Sequence, residues 1–327
     1  MKKLLIFLLT LGLLASLAQE AADSTESSDE AATTETADVN AEDKRIISID
    51  SSGGTRNGNL RFGPINYEHP DPEGVKATVS TLAIFAQNAQ LRGPDGEEDV
   101  TLTEAKGRRI ATFNDGVRVE RGRLNAAGPD LFYSEAEGLG NLTGGVDIEI
   151  APKNEGDDFV FIVANEAEFD VDTDVSVSRG EVQLENGNQS AEADEIEYEE
   201  ERALGVLSCT DRQCTITRLD DNGDVLTITA DTIRVLSDDK KLHALGNVTV
   251  VDGSITSTGD EVFFDDEESL AEVIGNPAEA VDEAEGATVS GARLLQDIEF
   301  DIVELMNEAQ PSAFQAADYL LTREQDE

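Results

Sequence analysis

The stretch Thr227–Ala280 reads TITADTIRVLSDDKKLHALGNVTVVDGSITSTGDEVFFDDEESLAEVIGNPAEA, and it states one short phrase twice. A small residue and an acid come first, then apolar residues two apart, then a polar turn, then Gly-Asn. The first copy has Ala230-Asp231, Ile233 and Val235, the turn Ser237-Asp238-Asp239-Lys240 and Gly246-Asn247. The second has Gly259-Asp260, Val262 and Phe264, Asp265-Asp266-Glu267 and Gly275-Asn276. Apolar residues two apart share one face of a strand. Each acidic turn then separates two strands and makes a hairpin. Gly246 and Gly275, just ahead of a strand or a Pro, suit a bulge or tight corner.

The phrase recurs upstream at Ala193-Asp194 with Ile196, Tyr198 and Gly205. Looser copies start at Ala164-Asn165, with Ala167 and Phe169, and at Gly128, with Leu131 and Tyr133. An irregular spacing of roughly 25 to 41 residues predicts hairpin units stacked along one axis with turns of variable length. Val, Ile, Leu and Thr alternating with acids, with recurrent turn clusters and no Trp, give an antiparallel all-β composition. Roughly 18 to 22 strands are expected, at about a dozen residues each.

The order A-D-x-φ-x-φ, acidic turn, G-N-V-x-φ resembles the OstA/LptA superfamily. Ala230, Asp231, Ile233, Gly246, Asn247, Val248, Val250, Asp260, Val262, Gly275 and Pro277 carry the resemblance. It is strongest over 190–289 and diffuse from 57 to 180. It implies an elongated antiparallel β-jelly-roll of two facing sheets, spanning 56–305, with a slot along its length. It also implies a periplasmic, non-enzymatic carrier of lipopolysaccharide or another envelope amphiphile, working with transport-system membrane proteins. Head-to-tail homo-oligomers formed by edge-strand pairing would follow. Ile233, Val235, Val248, Val250, Val262 and Phe264 are the residues expected to face that slot. The competing reading is a structural or adhesive envelope protein whose inter-sheet core is filled.

Met1-Lys2-Lys3 followed by the apolar run Leu4–Leu17 and the small residues Ser16 and Ala18 predicts a cleaved signal peptide, 1–18. The run is shorter than the ~20 residues that span a bilayer. No Cys follows it for a lipid anchor, and no later stretch is apolar enough to span, so a soluble extracytoplasmic protein is expected. Residues 19–55, rich in Ala, Ser, Thr, Glu and Asp at their start, are expected to be a disordered acidic linker. The tail 306–327 carries a possible short helix from Ala313 to Leu321, capped by Ser312. Ile298, Phe300 and Ile302 alternate as a last strand.

With 70 acidic and 24 basic residues the chain carries a formal charge of −46. That opposes nucleic acid and anionic lipid surfaces. Lys106, Arg108, Arg109, Arg118, Arg121 and Arg123 break the acidic pattern. A hairpin at Asn114-Asp115-Gly116 would gather them into an anion or headgroup site; ordinary pairing with carboxylates is the alternative. Asp170, Asp172 and Asp174 lack the Gly a calcium loop needs and read as a solvated strand face. No metal site and no cofactor motif is expected. Cys209 and Cys214, the only cysteines, are expected to form a disulfide stapling a hairpin. His69 and His243 are the only histidines, His243 on an expected surface position, and no nucleophile elbow or HExxH motif is present, so no enzyme is expected.

Overall fold

The computed structural model describes residues 44–219, 223–307 and 312–325. The predicted signal peptide, and the linker as far as residue 43, lie outside the described residues. Short strands come first: β1 (Ser48–Asp50), β2 (Thr55–Gly58), β3 (Ile65–Glu68), β4 (Val75–Val79), β5 (Leu82–Ala86), β6 (Asn88–Arg92), β7 (Ile110–Asn114), β8 (Val117–Arg121), β9 (Leu124–Gly128) and β10 (Asp130–Ser134). Longer ones follow: β11 (Leu139–Ile150), β12 (Val160–Asp170), β13 (Val175–Asn186) and β14 (Gln189–Glu199). Then come β15 (Leu204–Ser208), β16 (Cys214–Leu219), β17 (Val225–Ala230), β18 (Thr232–Leu236), β19 (Lys241–Asp252), β20 (Ile255–Asp265), β21 (Leu270–Asp282), β22 (Ala287–Asp297) and β23 (Ile302–Leu305). The total among the described residues is 23, just above the expected range. Because β1 lies within the stretch read as linker, and Ile47 before it is buried, the folded unit starts ahead of residue 56.

All pairs are antiparallel, and they run in two ladders. One passes through β1, β4, β5, β8 and β9. The other passes through β2, β3, β6, β7 and β10. From β11 onward the long strands cross both, while β15 to β18 and β23 each keep to one. Residues Asp147–Ile150 of β11 pair with β9, while Leu139–Ser134 contacts join its start to β10. The ladders therefore become two facing sheets folded along one line. The first sheet holds β16, β17 and the C-terminal half of β19; the second holds β15, β18 and its N-terminal half.

The repeated dipeptides mark that fold line. Register shifts fall at Thr143/Val146, Val163/Glu166, Arg179/Val182, Leu245/Val248, Thr258/Glu261 and Ile274/Ala278. Ala164-Asn165, Gly180-Glu181, Gly246-Asn247 and Gly259-Asp260 sit in those gaps, so Gly-Asn is a corner within a strand, as the sequence suggests for Gly246 and Gly275. Gly246 and Asn247 are both left-handed, φ +79 and +49, which Gly and Asn tolerate best. The acidic turns, by contrast, do close hairpins at the free edge.

Four local readings are corrected. Asn114-Asp115-Gly116 is a corner, because β7 pairs with β6 and β10 whereas β8 pairs with β5 and β9. Asp172 and Asp174 occupy the turn between β12 and β13, where Arg45 pairs with Asp172 and Thr81 Oγ1 donates to Asp174 at 2.8 Å. Cys209 and Cys214 are bonded, Cα–Cα 5.5 Å, but not across a hairpin. Both β15 and β16 pair with β14, so the bridge closes the neck of an excursion at the corner. Ile298 and Phe300 belong to a turn ahead of β23, whose amides at Glu299 and Phe300 donate to Asp297.

Period-two alternation fills the space between the sheets. Val75, Ile84, Val119, Phe113, Tyr133, Leu142, Phe169, Ile233 and Val250 all belong to one continuous core and are at most 1 % exposed. Each such side chain contributes about 1.5–3 kcal/mol by leaving water.

Candidate functional site

In the second sheet Tyr198, Gly205, Val235, Leu242, Phe264 and Ala271 lie opposite one another on successive strands. Leu184, Ala191, Ile216, Ile228 and Val250 form a like row in the first. Between these rows lies a mostly apolar cavity of about 80 Å³, bordered by Ile196, Tyr198, Leu207, Ile216, Ile228, Val235, Leu242 and Phe264. Of the six residues expected at a slot, Val235 and Phe264 border it. Ile233, Val248, Val250 and Val262 sit in the filled core, at most 1 % exposed.

The cavity faces the free edge, away from the corner line, and there its lining turns polar. Asn186, Gln189, Ser237, Lys240 and Asp266 also border a vestibule of about 170 Å³ that reaches Arg123, Asp157, Asp158 and Asp238. Arg218 on β16 borders the apolar cavity, and its partner Asp266 borders both spaces. Its guanidinium lies 5.9 Å from the Phe264 ring centroid, and its Nε is 2.9 Å from Asp266 Oδ1. Asp266 Oδ2 accepts from Gln189 Nε2 at 3.0 Å. Arg218 and Gln189 belong to the first sheet and Asp266 to a turn of the second, so the contact stitches the sheets across the mouth. Arg218 Nη1 is buried there without a hydrogen-bond partner. The motif reading passed over Arg218, although its spacing from Cys214 and Ile216 in CTITR places it on the inner face.

Toward β22 the interior is polar. Ser257 Oγ donates to Gln296 Oε1 at 2.7 Å, and both residues are wholly buried. Asp252 lies beside them; burial, reinforced by Asp301, pushes its carboxyl up to about 6. The apolar space thus has a polar end within the domain.

The basic stretch is not gathered into one site; each arginine goes to its own carboxylates. Arg108 meets Glu97 at 2.5 Å. Arg109 makes a buried pair with Glu135, whose carboxylate also accepts from the amides of Ile47, Gly107 and Arg109. Arg118 pairs with Glu73 at 2.8 Å and with Glu120. Arg121 is 2 % exposed, 3.5 Å from Glu200, and donates to the carbonyl of Asp170. Arg123 donates to the Ala151 carbonyl and reaches Asp238 at 3.4 Å. The last two link the facing sheets at the free edge, as Arg218 does further along.

His243 is buried rather than on the surface. It stacks on Phe263, centroids 4.2 Å apart, and Nε2 lies 2.7 Å from Glu261. Burial holds its pKa below the usual histidine value. The reason is the tail. Two 3-10 turns, Ala316–Tyr319 and Thr322–Glu324, stand where one short helix from Ala313 to Leu321 is expected, and the first begins after Gln315 rather than at Ser312. Phe314 and Tyr319 pack on Phe263 and His243 over the outer face of the second sheet. Arg234 fixes the tail through the Tyr319 carbonyl at 3.0 Å and Glu324 at 2.6 Å.

These features define a class: an all-β jelly-roll of two facing sheets whose apolar interior opens on one edge. Residues 161–302 match the family described as LptA/(LptD N-terminal domain) LPS transport protein, and that stretch is OstA/LptA-like. The match takes in most of the cavity lining, with Arg218 and Asp266, but not Arg123, Asp157 or Asp158 of the vestibule, and covers less than half of the chain. Among solved structures, the chain is similar to LptH, the LptA homologous periplasmic component of the lipopolysaccharide transport device from Pseudomonas aeruginosa. Identity is 15 %, coverage 36 % of this chain and 82 % of that one, and the TM-score 0.33. No curated protein matches the sequence. No helix among the described residues is long and apolar enough to cross a membrane.

Proposed function

We propose that this chain is an extracytoplasmic, non-enzymatic carrier that shields the acyl chains of lipopolysaccharide, or of a related envelope amphiphile, between its two sheets. Residues 1–18 would direct its export. The observation that carries the reading is the apolar inter-sheet cavity, bordered by Val235 and Phe264, opening into a polar vestibule and lined almost wholly by the stretch that matches a lipopolysaccharide-transport family. Hydrocarbon gains free energy by leaving water for such a space, while a charged headgroup loses it and stays at the mouth. The resting cavity is small beside an acyl chain, so loading requires the sheets to part at the free edge, with the fold line as hinge. A headgroup anion at Arg108 or Arg118, among the more exposed of the basic stretch, would have to displace a carboxylate first.

Edge strands supply the proposed assembly. Among the described residues β1 and β2 each pair on one side only, as do β23 and the Ala287–Gly291 half of β22. Head-to-tail pairing of these ends would continue both sheets and prolong the interior. The competing reading, a structural protein with a filled core, draws on the fully buried Phe113, Tyr133 and Phe169 at the N-terminal end. Mass spectrometry of lipid extracted from protein purified under native conditions separates the two. A stoichiometric acylated envelope lipid supports the carrier; lipid-free protein supports the filled core.

A further inference from the structure

The mouth of the cavity holds an arrangement that the carrier reading does not require. In a chain of net charge −46, Arg218 places its guanidinium against apolar surface, over Phe264. Its side chain is 19 % exposed, its Nε is engaged by Asp266 at 2.9 Å, and its Nη1 is buried with no acceptor. A guanidinium offers a fork of donors that suits two oxygens of one anion. Asp266 neutralises the guanidinium as an ion pair at Nε, from across the gap, without satisfying the fork. Tyr198 Oη, beside Ser237, adds a second buried polar group on the cavity wall.

We infer that Arg218 is a headgroup-selecting site: an anionic group attached to a hydrocarbon chain takes the place of Asp266 on the Arg218 guanidinium as the chain enters the cavity beneath it. The exchange couples recognition to opening. Asp266 is also what holds Gln189, at 3.0 Å, so its departure releases both contacts that stitch the sheets at this point. The adjoining vestibule sets Arg123 and Lys240 against Asp157, Asp158, Asp238 and Asp266, so Arg218 is the guanidinium that an anion meets at the apolar cavity itself. The ligand class is a carboxylate or phosphate monoester carrying one alkyl chain at a time. The inference rests on the proposed carrier reading, since it needs hydrocarbon between the sheets.

The test is displacement of the neutral apolar fluorophore N-phenyl-1-naphthylamine from the full chain by dodecyl phosphate and by dodecanol. Dodecyl phosphate is expected to displace it at a concentration about fivefold lower, the gain for one charge-assisted contact. Arg218→Gln should remove that difference while leaving dodecanol unchanged. Asp266→Asn should enlarge it, a gain that misfolding cannot imitate. Equal action of the two amphiphiles on the natural chain, with no effect of either substitution, overturns the Arg218 assignment and leaves the carrier reading standing. Failure of the fluorophore and both amphiphiles to bind overturns both. Displacement by inorganic phosphate alone overturns the assignment to an amphiphile.

Discussion

Asn247 Nδ2 donates to Asp231 Oδ2 at 2.8 Å, and the Asp231 amide donates to the Gly246 carbonyl at 3.0 Å. Two neighbouring strands turn from one sheet into the other at this contact. The acid of Ala-Asp on one strand lies under the glycine of Gly-Asn on the next, so the two halves of the repeated phrase are partners in space. A Cβ added to Gly246 would stand 2.4 Å from Asp231 Oδ2.

Gly246→Ala should therefore lose stability twice, through a left-handed backbone and through the clash, by about 2–3 kcal/mol in urea unfolding. Adding Asp231→Ala removes the 2.4 Å contact together with the Asn247 hydrogen bond, so the double variant is compared with Asp231→Ala alone. Against that reference the Gly246→Ala loss should shrink to about 1 kcal/mol, from the backbone. Equal stability of Gly246→Ala and the natural chain would contradict the corner assignment.

Glu135 is wholly buried, with Arg109 Nη2 at 2.5 Å and three backbone amides on its carboxylate. Removing it leaves a half-buried guanidinium and three donors without an acceptor. Glu135→Ala should cost about 3–5 kcal/mol, measured by chemical denaturation, and should release the segment around Ile47 to hydrogen exchange.

Asp252 gives a pH signature. Its native pKa, about 6, lies above its ordinary value of 3.8, so the folded chain binds more protons than the unfolded chain between those values. By linkage this group's contribution to stability falls as pH rises through that window and is lowest above pH 6. Asp252→Asn should stabilise the protein at pH 8 by on the order of 1 kcal/mol, discounted for the polar groups around it, with the difference gone below about pH 4. Thermal melts of both proteins across that range decide the matter.

The tail is held by aromatic stacking and by arginines. Tyr319→Ala removes a side chain 2 % exposed, and should abolish amide protection across 312–325 while leaving the 248–252 half of β19 unchanged. Unchanged protection in the tail would show that Arg234 suffices, together with Arg202 on the Asp318 carbonyl at 2.6 Å and Arg323 on Glu197 at 2.6 Å.

Much of this was legible beforehand. Alternation at Ile233/Val235 and Val262/Phe264 revealed strands and their inner face, because a half-buried strand imposes period two. Gly246-Asn247 betrayed its corner, since few residues accept a left-handed backbone; Gly275-Asn276 sits at a like corner without one. Partnership between ladders was not legible: Asn114-Asp115-Gly116 and the Cys209–Cys214 loop have hairpin composition, and only long-range pairing shows that they bend a strand from one sheet to the other. Nor was Arg218 singled out, because its importance comes from Asp266 and Phe264, which are far along the chain. His243 looked exposed for a similar reason, being covered by residues some 70 positions further on.

Photo-crosslinking in cells tests the central claim most directly. With a benzoylphenylalanine at Phe264, on the cavity wall, and another at Val251, 38 % exposed on the outside, the carrier account predicts an adduct bearing acylated lipid at 264 and none at 251. Adducts at 264 that join only segments of the same chain would contradict it.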